Sequence, residues 1–123
     1  MTTLSQVGYL ITFTPAARTT TTNGTGVDLT GYINPGGRAM KAIVNNGTTS
    51  GTTPTLDVKM QDSPDNSVWT DITGATAAQL TAAGSAEIHF RTNQKWVRAV
   101  ATIGGTTPSF TFDVIVLAVK RIK

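Results

Sequence analysis

The chain contains no cysteine, which excludes disulfides, iron–sulfur clusters and thiolate-ligated zinc. That absence leaves the compartment open, since only a disulfide-rich scaffold would have pointed outside the cell. Charge is scarce: charged residues make up 14% of 123, with a net charge of +3. Three of the ten basic residues, Lys120, Arg121 and Lys123, sit at the C-terminal end, so the basic excess reads as a solvated tail. A nucleic-acid binder carries a denser basic stripe interleaved with exposed aromatics, and no direct nucleic-acid contact is expected. Long apolar runs are also missing. No window approaches the ~20 residues of a membrane span, and YLITF at 9–13 has neither the length nor the basic flank of a signal-peptide core. No membrane partner and no cleaved export signal are expected.

Catalytic chemistry is equally thin. The acidic residues are Asp28, Asp57, Asp62, Asp65, Asp71, Asp113 and Glu87, and His89 is the single histidine. A hydrolase needs a positioned base and a group that orients it, yet no serine lies in a nucleophile elbow. His89, flanked on its own strand face by Glu87 and Arg91, reads as a polar-face residue. The stretch QDSPDNS at 61–67 places acidic and amide oxygens close together, as a calcium site would. It does not follow the EF-hand spacing, and Asp, Ser and Asn beside proline are ordinary turn formers. No catalytic, cofactor-binding or metal-ligating residue is assigned, no cofactor is expected, and the chain is not expected to be an enzyme.

What the chain does have is threonine, its commonest residue, together with Val and Ile in short runs. These β-branched residues favour strands. Strand-like runs fall at 8–14, 18–22, 27–33, 39–45, 56–61, 68–72, 87–91, 96–103 and 110–119, separated by Gly, Pro, Asn and Asp. In the first, Tyr9, Ile11 and Phe13 share one face. Asn23-Gly24 suits a two-residue hairpin turn between its neighbours, and NPGG at 34–37 reads as a turn. The run at 56–61 alternates as a half-buried strand does; only TAAQLTAA at 76–83 has helical flavour, for at most about two turns. The expected fold is all-β: a single-domain, jelly-roll-like β-sandwich of eight or nine short strands. Residues 1–26 form an N-terminal segment, an arm plus the first strands, and residues 27–123 the sandwich body.

One tetrapeptide occurs twice. Gly-Thr-Thr-Pro stands at 51–54 and again at 105–108, each time just before an apolar run that carries one aspartate. No Gly-Lys-Ser/Thr follows either copy and no helix is expected after it, so neither is a phosphate loop. Both read as matching strand-entry turns, exposed together at one end of the sandwich. Thr52, Thr53, Pro54, Thr106, Thr107 and Pro108 are therefore candidates for a protein contact. Leu4 and Val7, apolar anchors in the N-terminal segment, are two more. Trp69 and Trp96 read as core or interface anchors in preference to the ring platform of a carbohydrate-binding module, the alternative they leave open.

Residues 56–76, LDVKMQDSPDNSVWTDITGAT, with VDLTGY at 27–32, KWVRAVATIGGTTPSFTFDVIV at 95–116 and the short basic end, resemble small virion proteins of tailed bacteriophages. The pattern is an apolar strand ending in Gln61-Asp62-Ser63, a turn containing Asp65, then Trp69-Thr70-Asp71-Ile72 with Gly74-Ala75. The resemblance is to capsid decoration, or cement, proteins and related head structural proteins; head-fibre and tail proteins are the alternative within the virion. It implies a sandwich bound to the outer surface of an assembled capsid, with the major capsid protein as partner. It further implies self-association, a trimer being favoured, synthesis in the host cytoplasm, and reinforcement of the shell by bridging subunits.

Overall fold

The structure, a computed structural model, describes the backbone of residues 4–32 and 38–122 and the side chains of residues 8–32 and 40–118. The turn expected at 34–37 and the first three residues of the N-terminal segment lie outside the described residues. The described residues form seven strands and no helix: β1 Leu4–Arg18, β2 Thr22–Asn23, β3 Val27–Asp28, β4 Arg38–Ser63, β5 Thr70–Thr76, β6 Gly84–Thr92 and β7 Trp96–Ile122. All belong to one antiparallel sheet, ordered β1-β7-β4-β5, with β2 and β3 also on β7 and β6 also on β4.

The spine of the molecule is the pair β4 and β7, of 26 and 27 residues. They pair from Lys41↔Leu117 at one end to Ser63↔Trp96 at the other. Each half of this ladder gathers its own flanking strands. Beside residues 110–122 of β7 runs β1, and beside residues 38–46 of β4 runs β6. At the other end, β2 and β3 pair with residues 96–101 of β7, and β5 with residues 59–62 of β4. The chain is thus related to itself by an internal two-fold: β1 corresponds to β5, β2 and β3 to β6, and β4 to β7.

The two halves close on a single core as the two layers of a β-sandwich. Alternate positions point inward, as period-2 patterning requires: Ala42 and Val44 in the first half of β4, Leu56, Val58 and Met60 in the second. Val97, Ala99 and Ala101 do the same in β7, followed by Phe110, Phe112, Val114 and Val116. Two hydroxyls join the layers at their open sides. Thr12 Oγ1 donates to the Thr25 carbonyl at 2.9 Å and accepts the Ala99 N–H at 3.0 Å. On the opposite side, Thr92 Oγ1 donates to Asp62 Oδ2 at 2.7 Å.

The structure departs from the expected elements at four places. The runs at 39–45 and 56–61 are one continuous strand, as are 96–103 and 110–119, so seven strands replace eight or nine. Asn23-Gly24 makes no hairpin. Neither residue has the positive φ that a type I′ turn demands, and Gly24 N–H donates instead to the Ala99 carbonyl at 2.7 Å. Residues 77–83 do not coil; Leu80 exchanges backbone bonds with Leu56 as an isolated bridge. Finally, register shifts between Ile11 and Phe13 and between Phe13 and Ala16 turn the first strand over. Tyr9 and Ile11 face solvent at 71% and 51% exposure while Thr12 and Phe13 are both buried.

Candidate protein-contact surface at the strand crossing

The doubled Gly-Thr-Thr-Pro lies at the midpoint of the β4–β7 ladder, where the chain passes from one layer to the other. Thr52 and Thr106 pair directly, and register shifts flank them. Gly51 and Gly105 take φ of 111° and 110°, and Thr53 and Thr107 both take 47°. The two copies therefore form a matched pair of bulges, each adding an unpaired residue that bends and twists its strand.

Each copy is locked by the other. A Cβ on Gly51 would lie 2.7 Å from the Thr107 carbonyl oxygen and 2.8 Å from the Pro108 Cα. A Cβ on Gly105 would meet the Thr53 carbonyl oxygen at 2.7 Å and the Pro54 Cα at 2.9 Å. Only glycine fits so close an approach at such a φ. Threonine at positive φ is itself strained, since its branched Cβ crowds the backbone. Each hydroxyl meets that geometry locally: Thr53 Oγ1 donates to the Thr52 carbonyl, and Thr107 Oγ1 to the Thr106 carbonyl, both at 2.8 Å. The proline rings need no N–H partner at the bulge.

Of the eight candidate contact residues, six come together here. Thr52, Thr53, Thr106 and Thr107 are exposed and Pro54 and Pro108 half-buried. They sit within long strands and not in strand-entry turns, because each bulge keeps the ladder continuous. Beside the first copy lies a solvent-open groove of about 700 Å³, lined by Thr48, Thr49, Ser50, Gly51, Pro54 and Thr81. Its side chains are hydroxyls and small apolar groups without a formal charge. Leu4 and Val7 lie elsewhere, at the start of β1, paired with Ile122 and Val119.

The remaining residues singled out by the sequence serve local structure. Asp65 organises the 63–68 turn: its Oδ1 accepts the Ser67 and Val68 N–H groups and the Ser63 hydroxyl, each at 3.0 Å. The two amides, Val68 first, hold its carboxyl below the ordinary range. His89 is an exposed outer-face residue, 3.4 Å from Glu87. Trp69 is half-buried, and the Arg98 guanidinium lies 4.4 Å over its ring, covering one face that a sugar would stack on.

Arg18 was not singled out by its sequence context, yet it seals the second layer boundary of β1. Its guanidinium lies 4.7 Å from the Phe13 ring and 4.8 Å from that of Phe112, and it donates to the carbonyls of Thr14, Ala16 and Phe112. The bulge of β1 leaves Thr14 out of the ladder beneath it, and no pattern in the sequence marks that bulge beyond Pro15.

No protein-family model matches the sequence, and no curated protein matches it. Among solved structures, the chain is similar to the SPBc2 prophage-derived protein YomS. The TM-score is 0.53 at 13% identity, over 95% of this chain and 97% of that one. At that identity the likeness is one of fold, and it embraces both layers of the sandwich.

Proposed function

We propose that the protein is a structural virion protein that binds the outer surface of a phage capsid and stabilises the shell by bridging major capsid protein subunits. The observation that carries this reading is the fold shared, end to end, with a prophage-derived protein. It agrees with the resemblance of residues 56–76 to small virion proteins. The bulge pair supplies the contact: an exposed, uncharged surface of threonine and proline whose backbone is fixed before binding. Such preorganisation spares the ordering entropy that a flexible loop would lose on docking.

The mechanism is linkage. A protein that binds only the assembled shell stabilises it by RT ln(1 + [L]/Kd) at each site, summed over many sites. No covalent step is required of the chain.

The test is co-sedimentation with phage particles that lack the chain, separated into heads and tails. The protein should pellet with heads, saturably. Thr52→Glu combined with Thr106→Lys places opposite charges across the ladder, a pairing the sheet tolerates. It should weaken head binding at least ~10-fold, the equivalent of about 1.4 kcal/mol, with unchanged thermal stability. Binding to tails alone, or to neither, would refute the reading.

A further inference from the structure

The internal two-fold makes the two outer faces of the sandwich alike in backbone, yet they differ in chemistry. In the layer built on β5, Gln61 pairs with Arg98 across the ladder, and Arg98 Nε donates to Gln61 Oε1 at 2.9 Å. Gln61 Nε2 in turn donates to Asp71 Oδ1 at 2.8 Å, and Lys59 Nζ lies 3.0 Å from Asp71 Oδ2. The symmetry-related pair in the layer built on β1 is Ile43↔Ile115. Since the same backbone accepts a charged, hydrogen-bonded pair, the fold does not require isoleucine there.

Around that pair the outer face is ordered in two rows that cross four strands. One row runs Tyr9, Leu117, Lys41, His89, and the next runs Ile11, Ile115, Ile43, Glu87. Within these two rows the β1 and β7 positions are apolar, with Tyr9 71% and Ile11 51% exposed, and Asp113 of β7 stands one row further on. Within the two rows, charge lies on β4 and β6, where Lys41 is 3.2 Å and His89 3.4 Å from Glu87.

We propose that this face binds a second copy of the chain about a two-fold axis lying across the strands, between the two rows. Three of the four columns are self-complementary under that operation, and the β4 column sets the Lys41 stem over the opposite Ile43. Tyr9 and Leu117 of one copy come over Ile11 and Ile115 of the other, and His89 comes over the opposite Glu87. A closed two-fold contact of this kind is isologous and leaves no free copy of the face to polymerise. The carboxylate in each β6 column meets a cationic neighbour, so copies of a chain that is positive overall do not repel at this face. The size is sufficient. Four strands ~4.8 Å apart and about nine residues long give a flat footprint of about 550 Å², most of the ~800 Å² per partner of a standard interface. The apolar part of that footprint is its centre, Tyr9, Ile11, Ile43, Ile115 and Leu117. The pairing is two-fold, where the resemblance to decoration proteins implies a trimer, and it stands independently of capsid binding.

The experiment is sedimentation equilibrium of the purified chain and of Ile43→Arg/Ile115→Gln, which transplants the pair already present at 98 and 61. Wild type should have twice the 12.9 kDa chain mass, and the variant should return to a single chain mass with its unfolding transition intact. Tyr9→Lys, at an exposed position, provides a second disruption should the double variant not fold. A wild-type mass of one chain, or of three, would overturn the proposal, as would a dimer that survives both variants. Loss of head binding in these variants while wild type is a monomer would assign the face to the capsid and equally overturn it. Failure to bind heads with the dimer intact would remove the capsid reading alone.

Discussion

Alanine at Gly51 or Gly105 should destabilise the protein severely, and by the same amount at either site. The new methyl would sit 2.7 Å from a carbonyl oxygen and less than 3 Å from a proline Cα, all on the facing strand. Those atoms are backbone, so no side-chain rotation relieves the contact and the ladder must open. A non-glycine residue at φ near 110° costs about 1–3 kcal/mol. Opening the crossing weakens two backbone hydrogen bonds at about 1 kcal/mol each. Together these give about 3–5 kcal/mol, against a total stability of about 5–15 kcal/mol for a domain of this kind. At about 4 °C per kcal/mol for this length, Tm falls by roughly 12–20 °C. Urea denaturation followed by circular dichroism reads the effect as a shift in midpoint at constant m. Because one opening of the ladder accommodates both methyls, the double variant should lose clearly less than the sum of the singles. A loss under ~1 kcal/mol at either glycine, or two singles that differ by more than the usual ~0.5 kcal/mol scatter, would refute the reciprocal bulge.

Three further outcomes follow from the same geometry. Thr53→Gly removes a branched residue from φ 47° while adding unfolded-state freedom, so stability should change by less than ~1 kcal/mol; a large loss by denaturation would show that the threonine side chain carries the turn. Thr12→Val keeps the shape but deletes the bond to Thr25 and leaves the buried Ala99 N–H without its acceptor. It should cost about 2–3 kcal/mol, measured by the same titration, and a neutral result would contradict the layer-joining role. Asp65 has a folded pKa below its ordinary 3.8, so its contribution is present above the unfolded value and is lost as pH falls through the folded one. Tm should therefore drop on acidification below about pH 4, and Asp65→Ala should flatten that drop; an unchanged slope would remove Asp65 from the account.

The all-β class was legible because threonine, valine and isoleucine alternate in short runs between turn formers. Leu56, Val58 and Met60 point inward as their period requires. Long-range pairing was not legible, and the errors trace to it. Gly-Thr-Thr-Pro carries the composition of a turn, and only the facing copy, 54 residues away in sequence, makes each one a bulge within a strand. Asn23-Gly24 has hairpin chemistry, but Val100 and Ala101 of β7 offer β2 a partner and the local preference yields. In β1 the alternation Tyr9, Ile11, Phe13 suggested one face, and two bulges divide it between solvent and core. The repetition of Gly-Thr-Thr-Pro is visible in the sequence, whereas the apolar outer face is not. Ile43 and Ile115 look like core residues until the register pairs them on the outer face, at the positions that correspond to Arg98 and Gln61 in the other layer.

The central claim is that this chain is a component of the capsid exterior, and cryo-electron microscopy of the phage particle that carries it tests that most directly. The account predicts sandwich-shaped density on the outer shell, seated across the junction of major capsid protein subunits, with the Thr52–Pro54 and Thr106–Pro108 bulges against the shell. Density confined to the tail or a fibre, or a capsid surface bare of the chain, would contradict it.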